Sequence, residues 1–172
     1  MAVEQTPSQT VGPYFSIGLF DPSAAELVPA GSLDSTRITG RVLDGAGEPV
    51  PDAMVEIWQA DADGRYRPDF GWGRSGCDAD GRYSFVALKP GRVPDDAGGL
   101  QAPHLTVMVF ARGLLKPVLT RMYFPDEEEA NAEDQVLSAV GEASTVVARP
   151  VDDGLEFDIH LQGEDETVFF AV

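Results

Sequence analysis

The sequence is poor in the residues that most often carry covalent or metal chemistry. Among its 172 residues it has one cysteine, Cys77, and two histidines, His104 and His160. A single cysteine excludes an intrachain disulfide. The sequence also lacks a G-x-S-x-G nucleophile elbow, a phosphate-binding loop and a dinucleotide-binding glycine motif. A site built on histidine must therefore use His104 or His160.

Basic residues are also scarce. The chain has 12 Lys and Arg against 29 Asp and Glu, which gives a formal charge of −17. A field of this sign repels phosphate backbones, so nucleic-acid binding is excluded. Solubility is the plain explanation of the acidity. An anionic substrate would need local arginine or lysine side chains to overcome the repulsion.

Long hydrophobic runs are missing as well. No stretch approaches the roughly 18 consecutive apolar residues of a membrane-spanning helix. The first residues lack the basic segment and apolar segment of a signal peptide. These absences predict a cytoplasmic protein without a membrane anchor. The length and the lack of repeats predict one domain over residues 1–172.

Frequent turns favour short strands, because the chain has 18 Gly and 13 Pro. Pro7 and Pro13 predict an extended arm over residues 1–20, followed by a loop with at most one helical turn over residues 21–36. An acidic start and helical spacing predict one helix over residues 125–140. The predicted strands are 37–43, 54–59, 82–88, 104–111, 119–124, 144–148 and 155–162. This pattern indicates a mainly β fold, a β-sandwich with one or two short helices.

The two histidines differ in their strand contexts. In the predicted strand that contains His160, the residues at alternate positions are apolar, which places His160 on the solvent face. His104 shares a strand face with Thr106, Met108 and Phe110. A His-x-His pair on one face would be a strong metal-ligand signal, but the sequence has His-x-Thr, and a neutral hydroxyl is a poor substitute for imidazole.

Three internal segments and both termini resemble a known family. The segments are DGAGEPVPDAMVEIWQADADGRYRP, GCDADGRYSFVALKPG and APHLTVMVF, and together they resemble the intradiol ring-cleaving dioxygenases. The terminal motifs TPSQTVGPYF and QGEDETVFF resemble, more narrowly, the α chains of the two-chain members of that family. The resemblance covers nearly the whole chain and implies a β-sandwich.

The resemblance implies an incomplete metal site in this chain. Catalytic chains of the family hold a non-haem ferric ion with two tyrosines and two histidines. The matching positions here are Tyr66, Val93, His104 and Thr106, so two of the four ligands are lost. We therefore expect no iron in this chain and expect Fe³⁺ in a partner β chain. Tyr83 could be offered as a replacement ligand, but it shares a face with Phe85 and is interpreted as a core aromatic.

The resemblance also implies residues that serve the partner's site. The N-terminal arm of the α chain walls the iron pocket of the β chain, and the matching residues are Thr10, Gly12, Pro13 and Tyr14. Arg112 follows the His104 strand roughly 26 Å from His104, at about 3.3 Å per residue. At this separation Arg112 cannot reach the incomplete metal site of its own chain. A guanidinium there could instead bind a substrate carboxylate in the pocket of the partner chain. A plain surface ion pair is the alternative for Arg112.

The implied activity is the cleavage of protocatechuate by O₂ to 3-carboxy-cis,cis-muconate in an αβ oligomer, as a step of aromatic catabolism. Three alternatives remain open on the sequence. The chain could be a self-sufficient dioxygenase with relocated ligands, a β-sandwich binding module without enzymatic activity, or a purely structural subunit. Iron in the purified single chain would favour the first alternative, and a stable monomer indifferent to a catalytic chain would favour the second.

Overall fold

Alternating apolar residues form the strands of the protein, and Asp-Gly turns end them. The structure is a computed structural model, and it describes residues 6, 7, 9, 12, 15–95 and 98–171. Thr10, Pro13 and Tyr14 lie outside the described residues. The strands in the described part are β1 (Ser35–Leu43), β2 (Met54–Trp58), β3 (Trp72–Gly76), β4 (Arg82–Leu88), β5 (His104–Phe110), β6 (Val118–Tyr123), β7 (Arg149–Val151), β8 (Gly154–Glu156) and β9 (Ile159–His160).

Helical structure is short wherever the chain is described. The helices are α1 (Phe15–Gly18), α2 (Glu128–Glu133) and α3 (Gln135–Ser138), and 3₁₀ turns occur at Pro22–Ala25 and Ala143–Thr145. The part of the chain that the structure describes contains no helix with the length and apolarity needed to cross a membrane.

One type of turn recurs between the strands, beginning at Asp44, Asp61 and Asp78. In each turn the aspartate Oδ1 accepts hydrogen bonds of 2.8–3.0 Å from the backbone N–H groups two and four residues later. The residue three positions later is a glycine with φ between +72° and +77°, a region that other residues seldom adopt. These local bonds explain why the Asp/Gly-rich segments end strands so reliably.

Two sheets pack against each other. The first has the strand order β4-β1-β8-β7, with β9 also pairing with β1, and the second has the order β3-β2-β5-β6. The pairing of β1 with β8 and β9 is parallel, whereas the other strand pairs are antiparallel. Alternate residues of both sheets enter one core, including Ile38, Phe85, Val107, Met122 and Ile159. The predicted β-sandwich is confirmed.

Four predicted elements differ from the structure, and one of them, the single strand 155–162, is divided into β8 and β9. Residues 15–18 form a helical turn inside the segment expected to be extended. Residues 143–145 form a 3₁₀ turn where the strand 144–148 was predicted, and the strand begins only at Arg149. The predicted helix 125–140 is two helices, because Asp134 is extended (φ −71°, ψ 118°) and caps α3 by accepting a hydrogen bond from the backbone N–H of Leu137.

Candidate functional site

Tyr66 and His104, which are far apart in sequence, meet at one end of the second sheet. His104 is the first residue of β5, and Tyr66 lies in the loop between β2 and β3. The Tyr66 hydroxyl is 3.5 Å from His104 Nε2, at the outer limit of a hydrogen bond. His104 Nδ1 is 2.8 Å from the carbonyl oxygen of Ala102 and donates to it. This assignment leaves Nε2 with a lone pair directed towards Tyr66.

The His104 side chain is only 2% exposed, and this burial controls its charge. The pKa of His104 is lowered to about 4. Desolvation on burial is the larger cause, and the nearby positive charge of Arg121 is the second. The ring is therefore neutral near pH 7. A neutral imidazole with a free Nε2 retains the electronic form of a metal ligand.

The loop that carries Val93 packs against the loop that carries Tyr66. Gly64 has φ +75°, and a Cβ atom added there would lie 1.9 Å from the carbonyl oxygen of Arg92. A glycine at position 64 therefore allows the two backbones to touch. The isopropyl group of Val93 has no atom that could bind a metal.

Thr106 lies two residues after His104 on the same face of β5. It is paired with Trp58 of β2 on one side and with Arg121 of β6 on the other. The Nη1 group of Arg121 donates hydrogen bonds to Gln101 Oε1 at 2.7 Å and to the Tyr123 hydroxyl at 3.2 Å. Arg121 is thus the cross-strand neighbour of the position where the family pattern has a second histidine, and its guanidinium is held by Gln101 and Tyr123.

The donor set at these four positions does not fit a ferric ion. Tyr66 and His104 supply two ligands that contact each other, Thr106 supplies a neutral hydroxyl, and Val93 supplies nothing. Ferric ion prefers anionic oxygen ligands, and the positive charge of Arg121 disfavours a trivalent cation nearby. Within the described residues, no group of three or more His, Cys, Asp or Glu side chains is arranged to hold a metal ion.

Tyr83 belongs to the core and not to this site. Its side chain is buried on β4, its ring is tilted against Phe85 at a centroid distance of 5.9 Å, and its hydroxyl donates to the carbonyl oxygen of Phe157. Burial raises the pKa of Tyr83 well above its usual value. The interpretation of Tyr83 as a core aromatic is confirmed.

Replacing Tyr83 by phenylalanine should lower the free energy of unfolding by about 1–3 kcal/mol, because the buried carbonyl of Phe157 loses its donor. Urea-induced unfolding of the chain measures this change. Tyr66→Phe is the matched control, since the Tyr66 side chain is 39% exposed and a surface substitution changes stability by less than about 0.5 kcal/mol. Equal stability of Tyr83→Phe and the original chain would contradict a structural role for the Tyr83 hydroxyl.

Arg112 lies at the other end of β5, two residues beyond its last residue. Its side chain is 70% exposed and forms an ion pair with Asp52, whose side chain is 28% exposed. This contact is what the plain surface interpretation of Arg112 predicts, and it leaves most of the guanidinium accessible. The structure therefore separates Arg112 from the Tyr66–His104 end, as the strand length predicts.

Three of the four arm residues assigned to the partner's pocket lie outside the described residues. Thr10, Pro13 and Tyr14 are among those that the structure does not describe. Gly12 has φ +73°, and among the described residues no atom lies within 4 Å of a Cβ added to it. Left-handed backbone at this position favours glycine, but the surroundings do not demand it.

His160 is partly exposed on β9, while its neighbour Ile159 is buried. The predicted solvent-facing placement is consistent with this alternation. Sequence reasoning did not find Arg121 and Asp52. The alternation of residues 119–123 could have placed Arg121 on the outer face, but it carries no information about the partner strand. Asp52 resembles any other turn aspartate in the sequence.

A model of the protein family described as Dioxygenase matches residues 29–163. The alpha chain of protocatechuate 3,4-dioxygenase from Burkholderia cepacia is 40% identical to this chain, over 99% of this chain and 98% of its own length. The beta chain of protocatechuate 3,4-dioxygenase from the same species is 36% identical, over 76% of this chain and 65% of its own length.

Among solved structures, the chain is similar to the dioxygenase domain of a dioxygenase carbohydrate-binding protein fusion from the cellulolytic bacterium Streptomyces sp. SirexAA-E. The TM-score is 0.65 at 26% identity, and the match covers 93% of this chain and 99% of that chain. The sandwich with its two sheets is thus the architecture of a dioxygenase domain.

Proposed function

Because the chain belongs to the intradiol dioxygenase family, we propose that it is the iron-free α-type subunit of a two-chain enzyme that cleaves protocatechuate. A β chain of the same enzyme carries the Fe³⁺ and performs the ring opening. This chain supplies part of the pocket wall, orients the substrate and provides assembly surface. The cytoplasmic location stays a prediction of the sequence.

The observation that carries this proposal is the mismatch between a dioxygenase fold and its donor set. The chain has the sandwich and retains Tyr66 and His104 within 3.5 Å of each other. Val93 and Thr106 occupy the other two positions, and Arg121, the cross-strand neighbour of Thr106, has a positive charge that lowers the pKa of His104. A catalytic chain of this family without a metal ion has no means of activating the ring, so the chemistry belongs to a partner.

The similarities support a partner of the β type. Two different chains of one Burkholderia cepacia enzyme are both related to this chain, and the near-complete coverage in both directions is with the alpha chain. Under this proposal, an organism that has this chain also makes a second, iron-bearing chain for the reaction. The number of αβ pairs in the assembly is set by surfaces of both chains.

The proposed reaction joins one molecule of O₂ to one molecule of protocatechuate and opens the ring between its two hydroxylated carbons. Both oxygen atoms enter the product, 3-carboxy-cis,cis-muconate, so no external reductant is needed. The iron of the β chain supplies the activation of the ring. The present chain contributes binding and orientation, which alone can be worth several kcal/mol of barrier.

Arg112 suits the binding of the substrate carboxylate. Its guanidinium is exposed, and a planar guanidinium can bind a carboxylate with two parallel hydrogen bonds. The acidic chain otherwise repels an anionic substrate, so a local positive charge is required. In the competing structural role, the pair with Asp52 is the whole purpose of Arg112. The two roles differ in whether substrate affinity depends on Arg112.

The arm is proposed to wall the partner's pocket through Thr10, Gly12, Pro13 and Tyr14. Deleting residues 1–14 should lower the turnover of the assembled enzyme by about tenfold, because displacing a wall residue by about 1 Å already misplaces the substrate. Steady-state rates after co-purification with a β chain measure this effect. Deleting residues 1–5 alone is the matched control and should leave the rate unchanged. Normal turnover and normal assembly after the longer deletion would show that the arm is only a tail.

A further inference from the structure

Asp52 and Arg112 are brought together by the register of the second sheet. Strands β2 and β5 are antiparallel, with Met54 opposite Phe110. Asp52 lies two residues before Met54, and Arg112 lies two residues after Phe110, so continuing the register places them side by side. The resulting ion pair joins Asp52 Oδ2 to Arg112 Nε. Asp52 is the only ion-pair partner of Arg112 in the part of the chain that the structure describes.

The point of contact on the guanidinium decides what Arg112 can still do. A guanidinium has two edges that bind carboxylates, one that includes Nε and one formed by Nη1 and Nη2. Asp52 is closest to Nε, and no hydrogen bond between the Nη atoms and another described residue occurs. The edge formed by Nη1 and Nη2 therefore remains available for a second carboxylate.

Asp52 is more buried than Arg112 and is incompletely satisfied by the described residues. Its side chain is 28% exposed, compared with 70% for Arg112. Its Oδ1 atom is buried and has no hydrogen-bond partner among the described residues. Most buried side-chain polar atoms have at least one hydrogen-bond partner, so a buried carboxylate oxygen without one calls for an explanation. Burial restricts the movement of the Asp52 side chain, whose Oδ2 atom contacts Arg112.

The pair stands at the edge of an open concavity and not on a flat surface. A cavity of about 470 Å³ is lined by both members of the pair and by apolar side chains, among them Val50, Leu114 and Leu161. The apolar wall restricts where a charged side chain can move.

We propose that Asp52 is a positioning residue that fixes Nε of Arg112, so that the Nη1–Nη2 edge faces the substrate carboxylate in the partner's pocket. This inference rests on the proposed function, because it assigns Asp52 a role through Arg112. An arginine side chain without an ion-pair partner loses conformational entropy when it binds substrate. A side chain already ordered by an ion pair loses less, so its binding costs less free energy. The opposing effect is repulsion between the Asp52 carboxylate and the substrate carboxylate, and if it were the larger effect Asp52→Ala would lower KM.

The test uses Asp52→Ala and Asp52→Asn in the enzyme assembled with its β chain. Asp52→Ala should raise KM for protocatechuate about threefold to tenfold and change kcat little, since about 0.5–1.5 kcal/mol of ordering moves to the binding step. KM for catechol, which lacks the carboxylate, should stay unchanged. Asp52→Asn should have a smaller effect, because its amide oxygen can contact Nε although it carries no charge.

A matched control is available in the other sheet. Arg149 and Glu156 form an ion pair whose side chains are 69% and 26% exposed, close to the values for Arg112 and Asp52. Glu156→Ala removes the same charge with the same burial. It should leave KM for both substrates unchanged, which separates positioning from a general effect of charge.

The double variant Asp52→Ala/Arg112→Ala distinguishes the positioning role from the proposed function. If Asp52 acts through Arg112, the double variant should match Arg112→Ala in KM. A lowered or unchanged KM for Asp52→Ala, alongside a raised KM for Arg112→Ala, would overturn the positioning role and leave the proposed function intact. An unchanged KM for Arg112→Ala would remove the carboxylate role of Arg112, and the positioning role of Asp52 with it.

Discussion

Purified alone, the chain should contain no iron and should cleave neither protocatechuate nor catechol. Co-purified with a β chain, it should yield one iron per αβ pair and full activity. The reason is the donor set, because Val93 and Thr106 leave Tyr66 and His104 as the only two ligands at the four family positions. Two ligands cannot hold Fe³⁺ against hydrolysis, and Arg121 opposes a cation at the same place.

Metal analysis by mass spectrometry gives the iron count, and the visible absorption of tyrosinate bound to ferric ion gives an independent signal. The β chain purified by the same procedure is the positive control for iron retention. Two irons per pair would overturn the account, and so would tightly bound iron with ring cleavage in the isolated chain. The second result would restore the alternative of a self-sufficient enzyme with relocated ligands.

Arg112→Ala in the assembled enzyme should raise KM for protocatechuate by about 10- to 100-fold. A hydrogen bond to a charged group contributes about 1.5–3 kcal/mol, and every 1.4 kcal/mol is a factor of ten in affinity. KM for catechol should change little, because catechol has no carboxylate. Steady-state kinetics with both substrates at one ionic strength measure the ratio.

Arg112→Lys is the graded comparison for this experiment. Lysine keeps the positive charge but lacks the planar pair of donors, so its KM should lie between the values for arginine and alanine. Equal changes of KM for protocatechuate and catechol in Arg112→Ala would remove the carboxylate role. The purely structural interpretation predicts that neither KM changes while the complex still assembles.

Much of the strand pattern could be predicted from local sequence. Strand β4 has the predicted bounds, because the turn at Asp78 precedes it and Lys89-Pro90 follows it. Strand β3 was not predicted, since Trp72–Gly76 contains two glycines and little apolar surface. It forms because β2 offers it an antiparallel partner over its whole length, a tertiary condition that the segment itself does not show.

The break between β8 and β9 has a similar cause. The run of residues 155–162 alternates as one strand, and the prediction treated it as one. In the structure, the Asp158 carboxylate takes the place of a backbone acceptor, binding the backbone N–H of Arg41 at 2.8 Å and its Nη2 at 3.0 Å. The Asp158 side chain thus interrupts the backbone pairing with β1. Because Arg41 is 117 residues away in sequence, the alternation of residues 155–162 cannot reveal this contact.

The candidate site was predictable only through family resemblance. The positions of Tyr66, Val93, His104 and Thr106 follow from motifs, whereas composition and spacing alone gave a His-x-Thr pair without a partner. Arg121 and Asp52 were missed because their significance comes from strand register. A contact across two strands is set by how the sheet assembles, and a single segment does not encode it.

The position of β1 has a consequence for how the protein is made. One edge of β1 pairs with β4. The other edge pairs with β8 and β9, which come much later in the chain: Thr39 of β1 and Leu155 of β8 are 116 residues apart. The second sheet, in contrast, is complete once Tyr123 has been synthesised. A nascent chain on the ribosome therefore exposes an unpaired β1 edge until its last residues emerge. Unpaired edges recruit other chains, so premature termination near residue 150 should produce aggregates in which the second sheet is intact.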